Sequence, residues 1–468
     1  KVPGLTKTGY SIKMKFKSSK ILDFVDLGLL VFCVFPDSYS TIAILVFFTG
    51  LFRLILKIGD GSFFLELLYV YTSFTCLLMP LFGYIYFPSS NGIAKMWVRF
   101  MPVSELQYFS FTLPAVILLG LVFFLFRTKS PDDAPVINQL ITQVRKDILT
   151  IPVKSILTLT FISLVAYNIS NFLPGSLQQL NSFLYYSLFA MLFYIIFYKD
   201  FPFKMYFVVG FVLFLVFDAL RYGMFTIIAY MGGLFLILLL AGKRVYMSQK
   251  LGILVIGIIF IAFLQLFKLD LRKSRKKGQD PSVTEVAARV VANTQTAKFD
   301  DIFFPLYFRM NQGFNIALVQ RRIPAKVDYL NGSYLALGFA SAFVPRLFWA
   351  DKPEAGGKEN MRIYTGYIVT TWSTNVGPIG EAYGNFGYWG GWLYIMAFAA
   401  FIRFAYTKFI AVCRKMPILL LWMPPLFFQT IYSIEADSLQ VFNSLLKGLV
   451  FMVIMYKIFP KLFPSKTQ

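Results

Sequence analysis

Two stretches in the last third of the sequence gather the groups that chemistry needs. Phe343–Pro353 (FVPRLFWADKP) holds a segment stiffened by two prolines and presents Arg346, Asp351 and Lys352 among Phe348 and Trp349. Gly377–Gly391 (GPIGEAYGNFGYWGG) carries one carboxylate, Glu381, among glycines that let backbone approach a neighbouring helix or a ligand closely. Between them, Arg362 and Tyr364 follow the pair Gly356–Gly357. Earlier, Asp218 and Arg221 in FDALRYGMF fall between two apolar runs. An ionisable group at membrane depth is costly and by default a functional candidate, the plain alternative being a local Asp218–Arg221 pair. Arginine forks grip phosphate oxygens bidentately and aromatic faces stack on sugar rings, so this set suits a ligand carrying phosphate or diphosphate and sugars. The alternatives are helix packing for the glycines and a membrane-interface belt for each aromatic.

Other chemistries are excluded or disfavoured by composition. The chain has no His, which removes the commonest general base and the commonest transition-metal ligand. Its three cysteines, Cys33, Cys76 and Cys413, have neither disulfide-framework nor metal-site spacing. No metal site and no cofactor are expected. The formal charge of +22 would point to nucleic acid in a soluble protein. Here it is explained by basic cytoplasmic loops, and no nucleic-acid partner is expected.

The elements that must position these groups are membrane helices. Apolar residues make up 57% of the chain, charged residues 15%, and there are 54 Phe. The apolar residues lie in runs of roughly 17–25, the length of a spanning helix, without the alternation of a barrel. The expected fold is all-α and polytopic, with about twelve spans. These are Ile21–Phe35, Ser40–Leu56, Phe63–Tyr86, Leu106–Phe126, Ser155–Asn171, Asn181–Phe197, Met205–Phe217, Tyr222–Ala241, Leu251–Phe267, Tyr388–Tyr406, Pro417–Tyr432 and Leu439–Ile458. Alternate loops carry Lys and Arg, from Lys13–Lys20 through Arg403–Lys415 to Lys457–Lys466, which puts both termini in the cytoplasm. Arg53 reads as one of these inner anchors. Residues 1–267 form a first bundle of about nine spans, 268–387 one large extracytoplasmic loop, and 388–468 a final group of about three. The loop holds 16 Lys/Arg against 10 Asp/Glu, and Ser282–Ala297 within it is expected to be an amphipathic helix. No internal repeat is evident.

Val344–Pro353, read as VPRLFWADKP, and Gly380–Gly387, read as GEAYGNFG, together resemble the motif pair of the Wzy-type oligosaccharide repeat-unit polymerases. Arg221-Tyr222-Gly223 is similar to that family's Arg-Gly element. The motif likeness covers about 60 residues, and elsewhere only the span layout is shared. The resemblance implies a GT-C-like membrane glycosyltransferase joining undecaprenyl-diphosphate-linked oligosaccharides on the periplasmic face of the bacterial inner membrane. Membrane lipid is then a second partner, and there is room for a chain-length regulator protein. In such a site Arg346, Arg221 and Arg362, supported by Lys352, hold the leaving diphosphate without a metal. Glu381, with Asp351 second, takes the acceptor hydroxyl's proton, Trp349 and Tyr364 contact sugar, and direct attack inverts the anomeric centre. An O-antigen ligase and a lipid-linked-sugar flippase are the competing functions. A ligase usually uses a His in this loop, and a flippase calls for an inverted repeat.

Overall fold

The computed structural model describes residues 20–125, 134–169, 175–222, 245–276, 282–296, 298–344, 356–369, 374–423 and 435–464, with scattered positions between them. Its regular elements are helices. In chain order they are α1 (residues 20–32), α2 (Tyr39–Lys57), α3 (Phe64–Tyr86), α4 (Glu105–Phe124), α5 (Ala134–Asp147), α6 (Val153–Ile169), α7 (Gly175–Phe197) and α8 (Lys204–Tyr222). They continue with α9 (Met247–Lys276), α10 (Val283–Thr296), α11 (Phe299–Met310), α12 (Gly313–Arg322), α13 (Ser333–Phe343), α14 (residues 357–365), α15 (Gly377–Lys415) and α16 (Ser438–Ile458).

Among the described residues six helices are long and apolar enough to cross a membrane: Pro36–Lys57, α3, α4, Met247–Arg275, α15 and α16. A seventh span results if α5 and α6, bent by 98°, count as one. The chain is a multi-pass membrane protein by this measure. Several of the twelve expected spans are shorter than this, such as α1 and the apolar helix Asn181–Phe197, and others fall partly outside the described residues. Within 268–387, α9 runs on past Phe267 to Lys276. The expected amphipathic helix is α10, whose Val286 and Val290 pack on Phe267 and Leu271 of α9.

Two breaks in the spans shape the molecule. Pro80, in α3, has no N–H to give to the Cys76 carbonyl one turn back, and the helix passes through a π turn there, Phe74–Leu78. The orphaned carbonyl takes the Tyr108 hydroxyl from α4 at 2.7 Å. Gly313, the first residue of α12, lies against this kink, where a Cβ would fall 2.2 Å from Pro80 and 2.3 Å from the Tyr108 oxygen. The second break is Gly387, whose φ of +65° and ψ of −144° divide α15 into a buried arm and a long span. The carbonyls of Gly384 and Asn385 lose their helical partners at this break. The N–H groups of Leu330 and Asn331 replace them at 3.1 and 3.0 Å.

Charges tie the bundle together at one face. Arg53 is 5% exposed and bonds Asp23 and Asp26 of α1 at 2.7 Å each, with Phe124 beneath its guanidinium. Arg53, expected simply as an inner-face anchor, is held inside the bundle by two carboxylates from α1. At the same face Lys250 caps the last carbonyls of α2, and Arg403 caps those of α4. The opposite face collects the starts of α2, α4 and α16, the end of α9, and the arm of α15. Ser40 of α2 bonds Glu105 of α4 there at 2.6 Å.

Candidate functional site

The arm of α15 carries Glu381, and the structure places it in an unexpected setting. Glu381 is 1% exposed. One carboxylate oxygen accepts the Asn360 amide at 3.2 Å, and the other accepts the backbone N–H of Ser438, at the start of α16, at 2.9 Å. Asp437 sits beside it as the N-cap of α16. Its oxygens accept Gln440 N–H at 2.6 Å and the Asn375 amide at 2.9 Å. Burial pushes the Asp437 carboxyl up from its ordinary value. Amides close the network around them. Asn385 donates to the Tyr364 hydroxyl and to the Glu381 carbonyl, both at 2.8 Å. Asn315 and Gln312 of α12 reach the Asn375 carbonyl at 3.0 and 2.8 Å.

This is a positioning core rather than an open catalytic centre. Both Glu381 oxygens are engaged and water has no access to them, so an acceptor hydroxyl cannot reach the carboxylate as it stands. The same holds for Tyr364, which is fully buried with Gly384 against its ring. Burial, followed by the nearby Glu381, raises its phenol well above the ordinary value. Arg362 lies on the other side of α14. It is exposed and bonds Glu359 at 3.0 Å, which holds the Glu359 carboxyl below its ordinary value.

Of the remaining expected residues only Trp349 is described in full. Trp349 is half-buried, while Arg346, Asp351 and Lys352 lie outside the described residues. Arg221 falls in the last turn of α8, and its side chain also lies outside them. Its neighbour Asp218 accepts hydrogen bonds from Tyr167 and Tyr185.

A different constellation is assembled around Glu435. Tyr71 of α3 donates its hydroxyl to Glu435 Oε1 at 2.6 Å, and Arg309 of α11 stands 3.6 Å from Glu435 Oε2. Lys268 of α9, half-buried, is within electrostatic reach of Glu435, Arg309 and Arg272. Glu435 is 19% exposed, so unlike Glu381 it faces an accessible space. Tyr71 and Lys268 belong to candidate spans, Glu435 lies just before α16, and Arg309 and Arg272 are exposed, so the carboxylate and its cations gather where spans meet a loop. Glu435 was not among the residues singled out from the sequence, and Lys268 fell at the first position of the expected large loop. The available signal was an acidic residue next to a span in a chain poor in them.

No protein-family model, no curated protein and no solved structure matches this chain. Its function is therefore argued from the site's own chemistry. A carboxylate oriented by a phenol and accompanied by cations can accept a proton beside a polyanion.

Proposed function

We propose that this protein is a membrane glycosyltransferase that polymerises undecaprenyl-diphosphate-linked oligosaccharide units at the periplasmic face of the bacterial inner membrane. The observation that carries the reading is the Glu435 cluster, one partly exposed carboxylate beside Arg309 and Lys268, with Arg272 next to Lys268. The likeness of Val344–Pro353 and Gly380–Gly387 to the polymerase motifs supports it. A lipid-linked diphosphate enters from the bilayer with its charge near the surface, which is where a partly buried set of cations binds it best.

In the proposed reaction the acceptor hydroxyl attacks the donor's anomeric carbon. The new C–O bond forms as the bond from that carbon to the diphosphate oxygen breaks, and the diphosphate leaves with the electron pair. Arg309, Lys268 and Arg272 stabilise the leaving charge, and Glu435 takes the hydroxyl proton on Oε2 while Tyr71 holds Oε1. Direct attack inverts the anomeric configuration. The twelve-span layout with both termini cytoplasmic belongs to the same proposal, since it sets the starts of α4, α15 and α16 and the large loop on the periplasmic side.

Incubating the purified protein with a lipid-linked repeat unit tests the reading. A ladder of products supports polymerisation. Transfer of one block to a different acceptor indicates a ligase-like enzyme, and translocation of the unit without any new bond indicates a flippase.

A further inference from the structure

Beyond the reaction proposed above, the structure holds a second basic site. α12 ends in Arg321 and Arg322, and the chain turns back through Pro324 to Lys326. These three cations line a cavity of about 200 Å³ together with Thr365, Gly366 and Tyr367, and among the described residues no carboxylate contributes to its wall. The Nη1 end of the Arg322 guanidinium abuts Gly366, where φ is +77° and a Cβ would fall 1.7 Å from Nη1, so only glycine seats it there. Its Nε is buried without a hydrogen-bond partner. Arg321 is fixed beside it, donating to the Tyr367 hydroxyl at 2.8 Å with its guanidinium 5.9 Å from that ring's centre. Arg99, stacked over Phe308 and Phe314, brings a fourth cation within electrostatic reach of Tyr367.

We infer that this cleft binds a phosphate-class anion. Three cations on one cavity wall are balanced best by an anion, whose oxygens accept from the guanidinium and ammonium N–H groups that line it. Several oxygens on one tetrahedral centre match adjacent arginine forks better than a single sugar carboxylate does. The cavity is smaller than the roughly 300–1,000 Å³ of sites for drug-sized ligands, so it suits one compact charged group rather than an oligosaccharide. Arg309 precedes the start of α12 and Arg322 closes its end. Ten residues of helix therefore separate the two basic sites, about 15 Å at 1.5 Å per residue. They are distinct, and the inference stands whether or not Glu435 takes part in glycosyl transfer.

The test is site-resolved labelling of the full chain in neutral detergent with phenylglyoxal, read by mass spectrometry at Arg321 and Arg322. Millimolar inorganic pyrophosphate is expected to slow labelling of both several-fold, with glucuronate ineffective. Lys326→Gln, an exposed change compatible with folding, should weaken the protection about tenfold in pyrophosphate concentration. Reconstitution in phosphatidylglycerol against phosphatidylcholine vesicles separates the sources. Protection by the anionic lipid alone identifies a headgroup as the phosphate, and protection by pyrophosphate identifies a soluble or diphosphate ligand. Equal labelling under every condition, or protection by glucuronate equal to that by pyrophosphate, overturns the inference.

Discussion

Two glutamates divide the work that one was expected to do. Glu435 is open and surrounded by cations, whereas Glu381 is sealed and satisfied by an amide and a helix N-terminus. Glu435→Gln keeps the Tyr71 bond but removes the proton acceptor, and should cut turnover about 100-fold or more while lipid-donor binding persists. Unchanged turnover by the purified variant would remove Glu435 from the chemistry. For Glu381 the expected effect is on folding. Glu381→Ala strands the Ser438 N–H and the Asn360 amide at a cost of about 1–3 kcal/mol each, and Glu381→Gln retains an acceptor and loses less. Thermal unfolding in detergent separates the two variants, and equal melting points would refute the positioning role. The sequence made Glu381 visible because glycines surround it. Its burial was not visible, since that depends on Ser438, 57 residues further on. Arg321, Arg322 and Lys326 were legible only as part of a basic loop, because what makes them a site is the turn at Gly366, folded back from elsewhere.

Elements were more legible than residues. The start of the span at Tyr388 follows from a glycine-rich stretch giving way to an apolar run, and Gly387 supplies the break there. Replacing Gly387 with Ala forces a Cβ into a left-handed conformation and against the Tyr329 ring, 3.1 Å away. It should cost about 1–2 kcal/mol of stability in the same unfolding assay. The N-cap of α16 carries a pH signature. Because the Asp437 carboxyl is raised in the fold, the folded state holds its proton more tightly than the unfolded chain does. The corresponding stability is present at low pH and is lost as pH rises from about 4, the unfolded value, through the raised one. Asp437→Asn keeps the cap without the charge and should flatten that slope. An unaltered pH profile of the melting temperature would refute this assignment. Of the bent pair, α6 was legible as the expected span Ser155–Asn171, but α5 was not, since an amphipathic helix in a polar stretch lacks the long apolar run that marks a span.

At the scale of the molecule, all-α membrane architecture was evident from composition, because no water-soluble core absorbs so many Phe, Leu and Ile in unbroken runs. Orientation is a separate proposition with its own measurement. A single cysteine at Lys326 in a background lacking Cys33, Cys76 and Cys413 should react with an impermeant maleimide from the periplasm, while one at Lys415 should not. The reverse pattern would invert the proposed topology. The kink in α3 bears on how the chain is made. The Cys76 carbonyl, bare within an apolar helix, is satisfied by Tyr108, 32 residues downstream. At roughly 5–20 residues per second the ribosome delivers that hydroxyl about 2–6 s after the carbonyl. During that interval the third helix cannot be released alone into lipid without a naked dipole. The Cys76–Tyr108 bond therefore forms only once α4 has emerged, so α3 reaches its final packing with α4 beside it.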